Sequence, residues 1–183
     1  MSELRKLPKG WQWVRLGDVC QSEITTRNPK KEPDKSFYYI DISSIDNELK
    51  RILSPKLTLG KESSSRARQV ILTYDVIVST TRPNLNAVAL VPKELNNQIC
   101  STGFCVLRAK SNLLDTNYLF HFVRSYEFVK CLSDLVKGAL YPAITNKQVF
   151  AQLIPLPPLP EQKRLATLLT EKLAEVERAR AAI

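Results

Sequence analysis

The sequence predicts an α/β chain of the α+β type: a mixed-sheet domain over residues 1–152, then a proline-rich connector and one long helix over 153–183. Three observations predict it. Runs rich in β-branched and aromatic residues recur at 37–45, 70–72, 76–78, 87–91 and 99–107, most of them beside turn-forming residues, which is the pattern of strands. One longer stretch, 117–136, repeats its apolar residues at helical spacing instead. Pro155, Pro157, Pro158 and Pro160 remove backbone donors and fix φ, so the chain runs extended there, and no glycine or proline interrupts the sequence beyond them. A chain of 183 residues can bury a sizeable core as one domain plus an appendage.

Taken in order, residues 10–16 (GWQWVRL) alternate apolar with polar side chains as a first strand does, and 16–19 read as a turn. Residues 22–36 hold Thr, Asn, Pro and many charges and form a solvated loop, whose Lys30-Lys31 pair either meets phosphate or is simply wet surface. The strand at 37–45 (FYYIDISSI) ends at the Asp46-Asn47 turn, and a further strand or turn pair follows through 51–59. Val70-Ile71-Leu72 and Val76-Ile77-Val78 are buried-strand runs around a turn at Tyr74-Asp75, and 87–91 is another strand. Residues 99–107 read as a strand pair with a glycine bulge. Asp115-Thr116 caps the helix over 117–136, whose Leu119, Phe122, Val123, Tyr126, Val129 and Leu132 share a core-facing side, and Gly138 stops it.

The last helix starts well: Pro160 suits a first turn and Glu161 favours the positive terminus. Leu169, Val176 and Ile183 recur every seven residues, with Leu165 and Ala179 near the other seam position and Leu168 and Leu173 flanking. Such a stripe either needs a partner or folds back onto its own domain.

The formal charge of +9 suits a polyanion, nucleic acid ahead of an anionic membrane surface. No signal-peptide pattern opens the sequence and no apolar run is long enough to span a bilayer, so the expectation is a soluble, cytoplasmic chain with no membrane role. Cys20, Cys100, Cys105 and Cys131 are scattered without a C-x-x-C pair and read as reduced thiols. The single histidine, His121, lies in an apolar helical stretch, which leaves little for a zinc site or a histidine-activated nucleophile. Pro33-Asp34 followed by Glu48-Leu49-Lys50 formally fits the spacing of metal-dependent nucleases. That chemistry needs its carboxylates on adjoining core strands, whereas Asp34 falls in a charged loop and Glu48 beside a turn. With no dinucleotide fingerprint, P-loop or methyltransferase Pro-Pro motif, we expect no cofactor and no catalytic site; a small metal-dependent nuclease is the alternative.

The most informative internal stretch is 60–91. Lys50, Arg51, Lys56, Lys61, Arg66, Arg68 and Arg82 stand against only Glu62 and Asp75, so basic charge concentrates where strands end in polar loops. Thr80, Thr81, Asn84 and Asn86 can reach phosphate oxygens or base edges, and Arg82, on a loop stiffened by Pro83, can grip guanine with both guanidinium arms. Alternatively Arg82 pairs with a carboxylate such as Asp75. Loop 137–148 adds Lys137, Tyr141, Asn146 and Lys147, again the side chains of a nucleic-acid surface, though turns share that composition.

These pieces together resemble a known family, the target recognition domain of the DNA specificity subunit of Type I restriction-modification enzymes. The resemblance rests on Gly10-Trp11, Leu16-Gly17-Asp18-Val19, Tyr39-Ile40, the run from Asp75 through Thr80-Thr81-Arg82-Pro83, Ser101-Thr102-Gly103-Phe104, Gly138 with Tyr141-Pro142, and Ile154-Pro155-Leu156-Pro157-Pro158 with Glu161-Gln162-Lys163-Arg164. It implies a domain that reads double-stranded DNA and a conserved spacer helix. The partners it implies are methyltransferase (modification) and restriction subunits, which hold the S-adenosylmethionine and ATP sites. The family's usual subunit carries this unit twice, with its two helices packed antiparallel, whereas this sequence carries it once, as a natural half-subunit or a truncated one. The resemblance and the stripe together lead us to expect a homodimer through Leu165, Leu169, Leu173 and Val176, a short coiled coil.

Overall fold

A computed structural model describes residues 5–181. In chain order its elements are β1 (Gln12–Arg15), α1 (Leu16–Val19), β2 (Ser36–Ile40), β3 (Ile45–Asp46), β4 (Arg51–Ile52), β5 (Lys56–Leu59), β6 (Ala67–Ile71), β7 (Val76–Ser79), β8 (Val88–Leu90), β9 (Gln98–Ser101), β10 (Phe104–Leu107), α2 (Thr116–Val123), α3 (Tyr126–Asp134), α4 (Asn146–Phe150), β11 (Leu153–Leu156) and α5 (Leu159–Ala181). The turn expected at residues 16–19 is a single helical turn. The strand expected through residue 45 stops at Ile40, where Asp41 begins a 3-10 turn with its carboxylate accepting from the hydroxyls of Ser43 and Ser44.

Two sheets organise the domain, in the order β5-β2-β9-β6 and β10-β7-β8. The first is mixed, because β2 and β9 run parallel while β5 and β6 flank them antiparallel. The second is antiparallel throughout. Ile77, Phe104 and Val106 face Ile40, Ile71 and Cys100 in the core between the sheets. Their alternate neighbours Val76, Val78, Cys105 and Leu107 face Leu119, Val123, Phe128, Leu132 and Ile154 on the other side. A strand buried on both faces has no polar face to show, which is why β7 and β10 read as continuous apolar runs.

The chain crosses between sheets twice. β6 and β7 flank the Tyr74-Asp75 turn but belong to different sheets, and β9 and β10 separate in the same way at Thr102-Gly103. At the first crossing Asp75, buried, accepts from the Leu72 amide at 2.8 Å and from Arg108 Nε and Nη2 at 2.8 and 2.7 Å. Arg108 is therefore the partner of Asp75, and Arg82 is not. At the second crossing a side chain on Gly103 would come within 3.3 Å of Ile42 Cδ1 and Ser101 Oγ.

The helix expected over 117–136 is two. Asp115 caps α2 through the Tyr118 amide as foreseen, but the helix ends at Val123, and Ser125 caps α3 by accepting from the Phe128 amide at 3.3 Å. The break frees the Arg124 carbonyl, which accepts from Asn86 Nδ2 at 3.2 Å. Gly138, with φ +83, lies beyond the end of α3 in the following loop.

The proline connector is built into the domain. Its extended stretch is β11, antiparallel to β1 with Trp13 opposite Pro155, and the Pro155 carbonyl accepts from the Tyr118 hydroxyl at 2.6 Å. The boundary foreseen after residue 152 falls beside Gln152, whose carbonyl accepts from the Leu16 amide. The root of α5 is clasped as well. Gln162, fully buried, donates to the carbonyls of Leu113 and Pro157 at 3.0 and 2.8 Å and accepts from the Asp115 amide at 2.8 Å. Glu161 accepts from Trp11 Nε1, and His121 Nε2 lies 2.8 Å from Thr170 Oγ1.

The stripe on α5 is consequently divided. Leu165 packs on the domain's own core beside buried Ala166, and Leu173, with Leu169, lines a groove shared with His121, Phe122 and Arg124. Leu168, Leu169 and Val176 are 43, 42 and 48% exposed. The seam expected as one surface therefore has an inward half and an outward half; Ile183 lies outside the described residues. No described helix is long and apolar enough to cross a membrane.

Candidate nucleic-acid interface

The strand register decides which loops meet. Ala67 pairs with Ser101 and Phe104 with Ser79, so the start of β6, the β9–β10 crossing and the end of β7 lie at one edge of the two sheets. Backbone bonds tie them in sequence: the Thr102 amide donates to the Arg66 carbonyl at 2.9 Å, and the Gly103 carbonyl accepts from both the amide and the hydroxyl of Thr80, each at 2.9 Å. Loop 137–148 joins next, with Ile144 N donating to Thr80 O and Arg82 N to Pro142 O, both at 2.8 Å. Gln69 braces the crossing from inside by donating to the carbonyls of Ser101 and Phe104.

Arg82 and Asn86 both adopt left-handed backbone, φ 48 and 49, and bracket a 3-10 turn over Pro83–Leu85. Such conformations are costly for residues other than glycine, and persist where surrounding bonds over-determine them. Here the Pro142 carbonyl holds Arg82, while Asn86 donates to Arg124 O and its own carbonyl accepts from Lys50 Nζ at 2.6 Å. Burial, then the like charge of Arg124, pulls the Lys50 pKa down.

Among the residues expected at a DNA surface, Arg66, Arg82, Asn84, Lys137, Tyr141, Asn146 and Lys147 are exposed, and Thr81 is half-buried. The register and backbone bonds unite Arg66, Thr81, Arg82 and Tyr141; Asn146 and Lys147 follow on the first turn of α4, which Thr145 caps with Gln148. Thr80 and Asn86 stand apart, since the Thr80 hydroxyl and Asn86 Nδ2 donate inside the fold and hold the loop, although the buried Asn86 Oδ1 has no partner there. Arg68 is half-buried and donates to the neighbouring Ala67 carbonyl. Composition had no way to separate these roles, because Thr and Asn serve as props and as readers alike. Leu140, 86% exposed beside Tyr141, gave no signal at all: an isolated leucine in sequence reads as core.

The electrostatics of this edge are one-sided. Residues 76–93, 95–114 and 135–160 contain no Asp or Glu. Among the described residues Arg66, Arg82, Lys137 and Lys147 form no ion pair, although the charge of Lys137 reaches Asp134, whereas lysines and arginines elsewhere often do, as in Lys56–Asp41 and Lys130–Asp134. Unpaired cations on rigid loops are an anion-binding surface. The acidic residues weighed for nuclease chemistry are apart from it and from each other's chemistry: Asp34 is exposed near Lys61, and Glu48 sits in a turn capped by Asp46. The described residues hold no group of three or more His, Cys, Asp or Glu placed for a metal.

Residues 8–181 match the profile of the Type I restriction modification DNA specificity domain. The chain is 23% identical over 172 residues to the Type I restriction enzyme EcoDI specificity subunit of Escherichia coli, covering 94% of this chain and 37% of that protein. Against the MjaVIII specificity subunit of Methanocaldococcus jannaschii it is 28% identical over 171 residues, covering 91% and 36%. The crystal structure of the HsdS subunit from Thermoanaerobacter tengcongensis superposes with a TM-score of 0.87 at 48% identity, over 97% of this chain and 46% of that one. The Type I S subunit from M. genitalium, at 14% identity and a TM-score of 0.60, shares the fold. The chain spans less than half the length of each of these relatives, and it belongs to the family of Type I restriction-modification DNA specificity domains.

Proposed function

We propose that this chain reads a defined sequence in double-stranded DNA, as a recognition half of a Type I restriction-modification specificity subunit that directs methyltransferase and restriction subunits to the site. The observation that carries this reading is the acid-free edge where Arg66, Arg82, Tyr141 and Lys147 converge on loops fixed by backbone bonds. Arg82 and Arg66 are suited to base edges or the phosphates beside them. Lys137 and Lys147 suit phosphate, and Thr81, Asn84 and Asn146 supply short polar contacts, while Thr80 and Asn86 hold the loop in place. Residues 1–152 carry the recognition function and 153–183 the spacer. Through Leu168, Leu169 and Val176 the helix pairs with a second helix of its own kind, and two copies of this chain supply both.

Titration of duplex DNA into the purified chain at several salt concentrations tests the reading. Binding weakens linearly on a log–log scale, with a slope of about −0.9 per phosphate contact, and magnesium leaves the DNA intact. Degradation of DNA by the chain alone in magnesium overturns the reading in favour of a nuclease.

A further inference from the structure

Leu140 and Tyr141 are the two most exposed large apolar residues of the described molecule, each 86% exposed, and they are adjacent. Folding a leucine and a tyrosine side by side into water forgoes burial that a core would reward, so a mobile loop is the ordinary place for them. This loop is anchored at both ends. The Ala139 amide donates to Val136 O at 3.0 Å, and beyond the pair the Pro142 carbonyl accepts from Arg82, Ala143 bridges Thr81, and Ile144 is buried with its amide on Thr80. Pro142 fixes φ just after the tip. A short apolar tip tied down on both sides, with Lys137 and Lys147 on the same loop, Arg82 bonded to Pro142 and no carboxylate between residues 135 and 160, suits insertion into something polyanionic on its outside and apolar within. Stacked base pairs between phosphate backbones have that character.

We propose that Leu140 and Tyr141 form an apolar wedge that enters bound DNA between two adjacent base pairs, with Leu140 prising the step open and the Tyr141 ring stacking on an exposed base. The proposal rests on the DNA-reading function above and adds a second source of specificity to it. Pyrimidine–purine steps unstack most readily, so the wedge favours sites that offer such a step where it enters, whether or not a hydrogen bond reads that step. A protein partner is the other occupant a tip of this kind could meet, and the same experiment separates the two.

The test uses the full chain and duplex DNA carrying the site recovered from random-sequence selection, with 2-aminopurine placed at each adenine in turn or, where the step has none, beside it. Fluorescence of the probe rises at one step when the wild-type chain binds. Leu140→Ser/Tyr141→Ser abolishes that rise and binds roughly 5- to 150-fold more weakly, the equivalent of about 1 to 3 kcal/mol for a stacked base. Its melting temperature is unchanged, because neither side chain is packed. Wild-type binding with no rise at any step, or a double variant that retains affinity and signal, overturns the wedge while leaving DNA reading intact and gives the tip to a protein partner. A chain that retains no DNA at all overturns the underlying reading and the wedge with it.

Discussion

Arg82 holds left-handed backbone at the head of a 3-10 turn, its amide spent on Pro142 and its guanidinium exposed without a carboxylate partner among the described residues. Removing that side chain leaves the fold's own bonds in place. Arg82→Ala is accordingly expected to weaken specific DNA binding by about 1 to 3 kcal/mol with no change in melting temperature. A binding titration beside a thermal melt checks this, and Arg82→Gly controls for the backbone, since glycine adopts the same φ freely. Unchanged affinity removes Arg82 from the site. Its candidacy was legible in sequence from charge and Pro83. The inward roles of Thr80 and Asn86 were not, because the direction of a short polar side chain is settled by what packs against it. Asp75 illustrates the same limit: both Arg82 and Arg108 were available to it in sequence, and the antiparallel register of β7 and β10, Val76 opposite Leu107, brings Arg108 to it.

Among the elements, α5 is set in direction by its first turn. Gln162, itself fully buried, makes three bonds, so Gln162→Ala removes the partners of the Asp115 amide and of the Leu113 and Pro157 carbonyls, the last of them buried. At about 1 to 3 kcal/mol for each buried group left unpaired, relaxation included, a loss of about 3 kcal/mol in unfolding free energy is expected. Chemical denaturation reads it as a lower midpoint with unchanged slope. A loss under about 0.5 kcal/mol, the scatter of ordinary surface substitutions, contradicts the clasp. Strand positions were mostly readable from β-branched runs, as with β7 and β8, and so was the cap at Asp115. The break at Ser125 was missed because apolar spacing continues across it, although a serine three residues before Phe128 is a cap signal. That the chain around Pro155 would form β11 could not be read either, since pairing with β1 joins residues some 140 apart in sequence.

At the scale of the whole molecule, the recognition edge and the outward half of α5 set the geometry of any bound site. α5 has 23 residues, which at about 1.5 Å each make a rod of about 35 Å, close to one turn of B-DNA. In the pairing proposed above, two copies joined antiparallel through Leu168, Leu169 and Val176 would hold their recognition edges about that far apart, related by a twofold axis. Leu165 packs on the domain's own core, and the sequence period alone made no distinction between it and the more exposed Leu169. The central claim, that this edge reads a specific DNA sequence, is tested most directly by selecting bound sites from random duplex DNA with the purified chain. A defined consensus made of two inverted half-sites around an unread spacer is expected. A consensus without twofold symmetry contradicts the pairing of two copies, and recovered DNA with no consensus contradicts sequence reading itself.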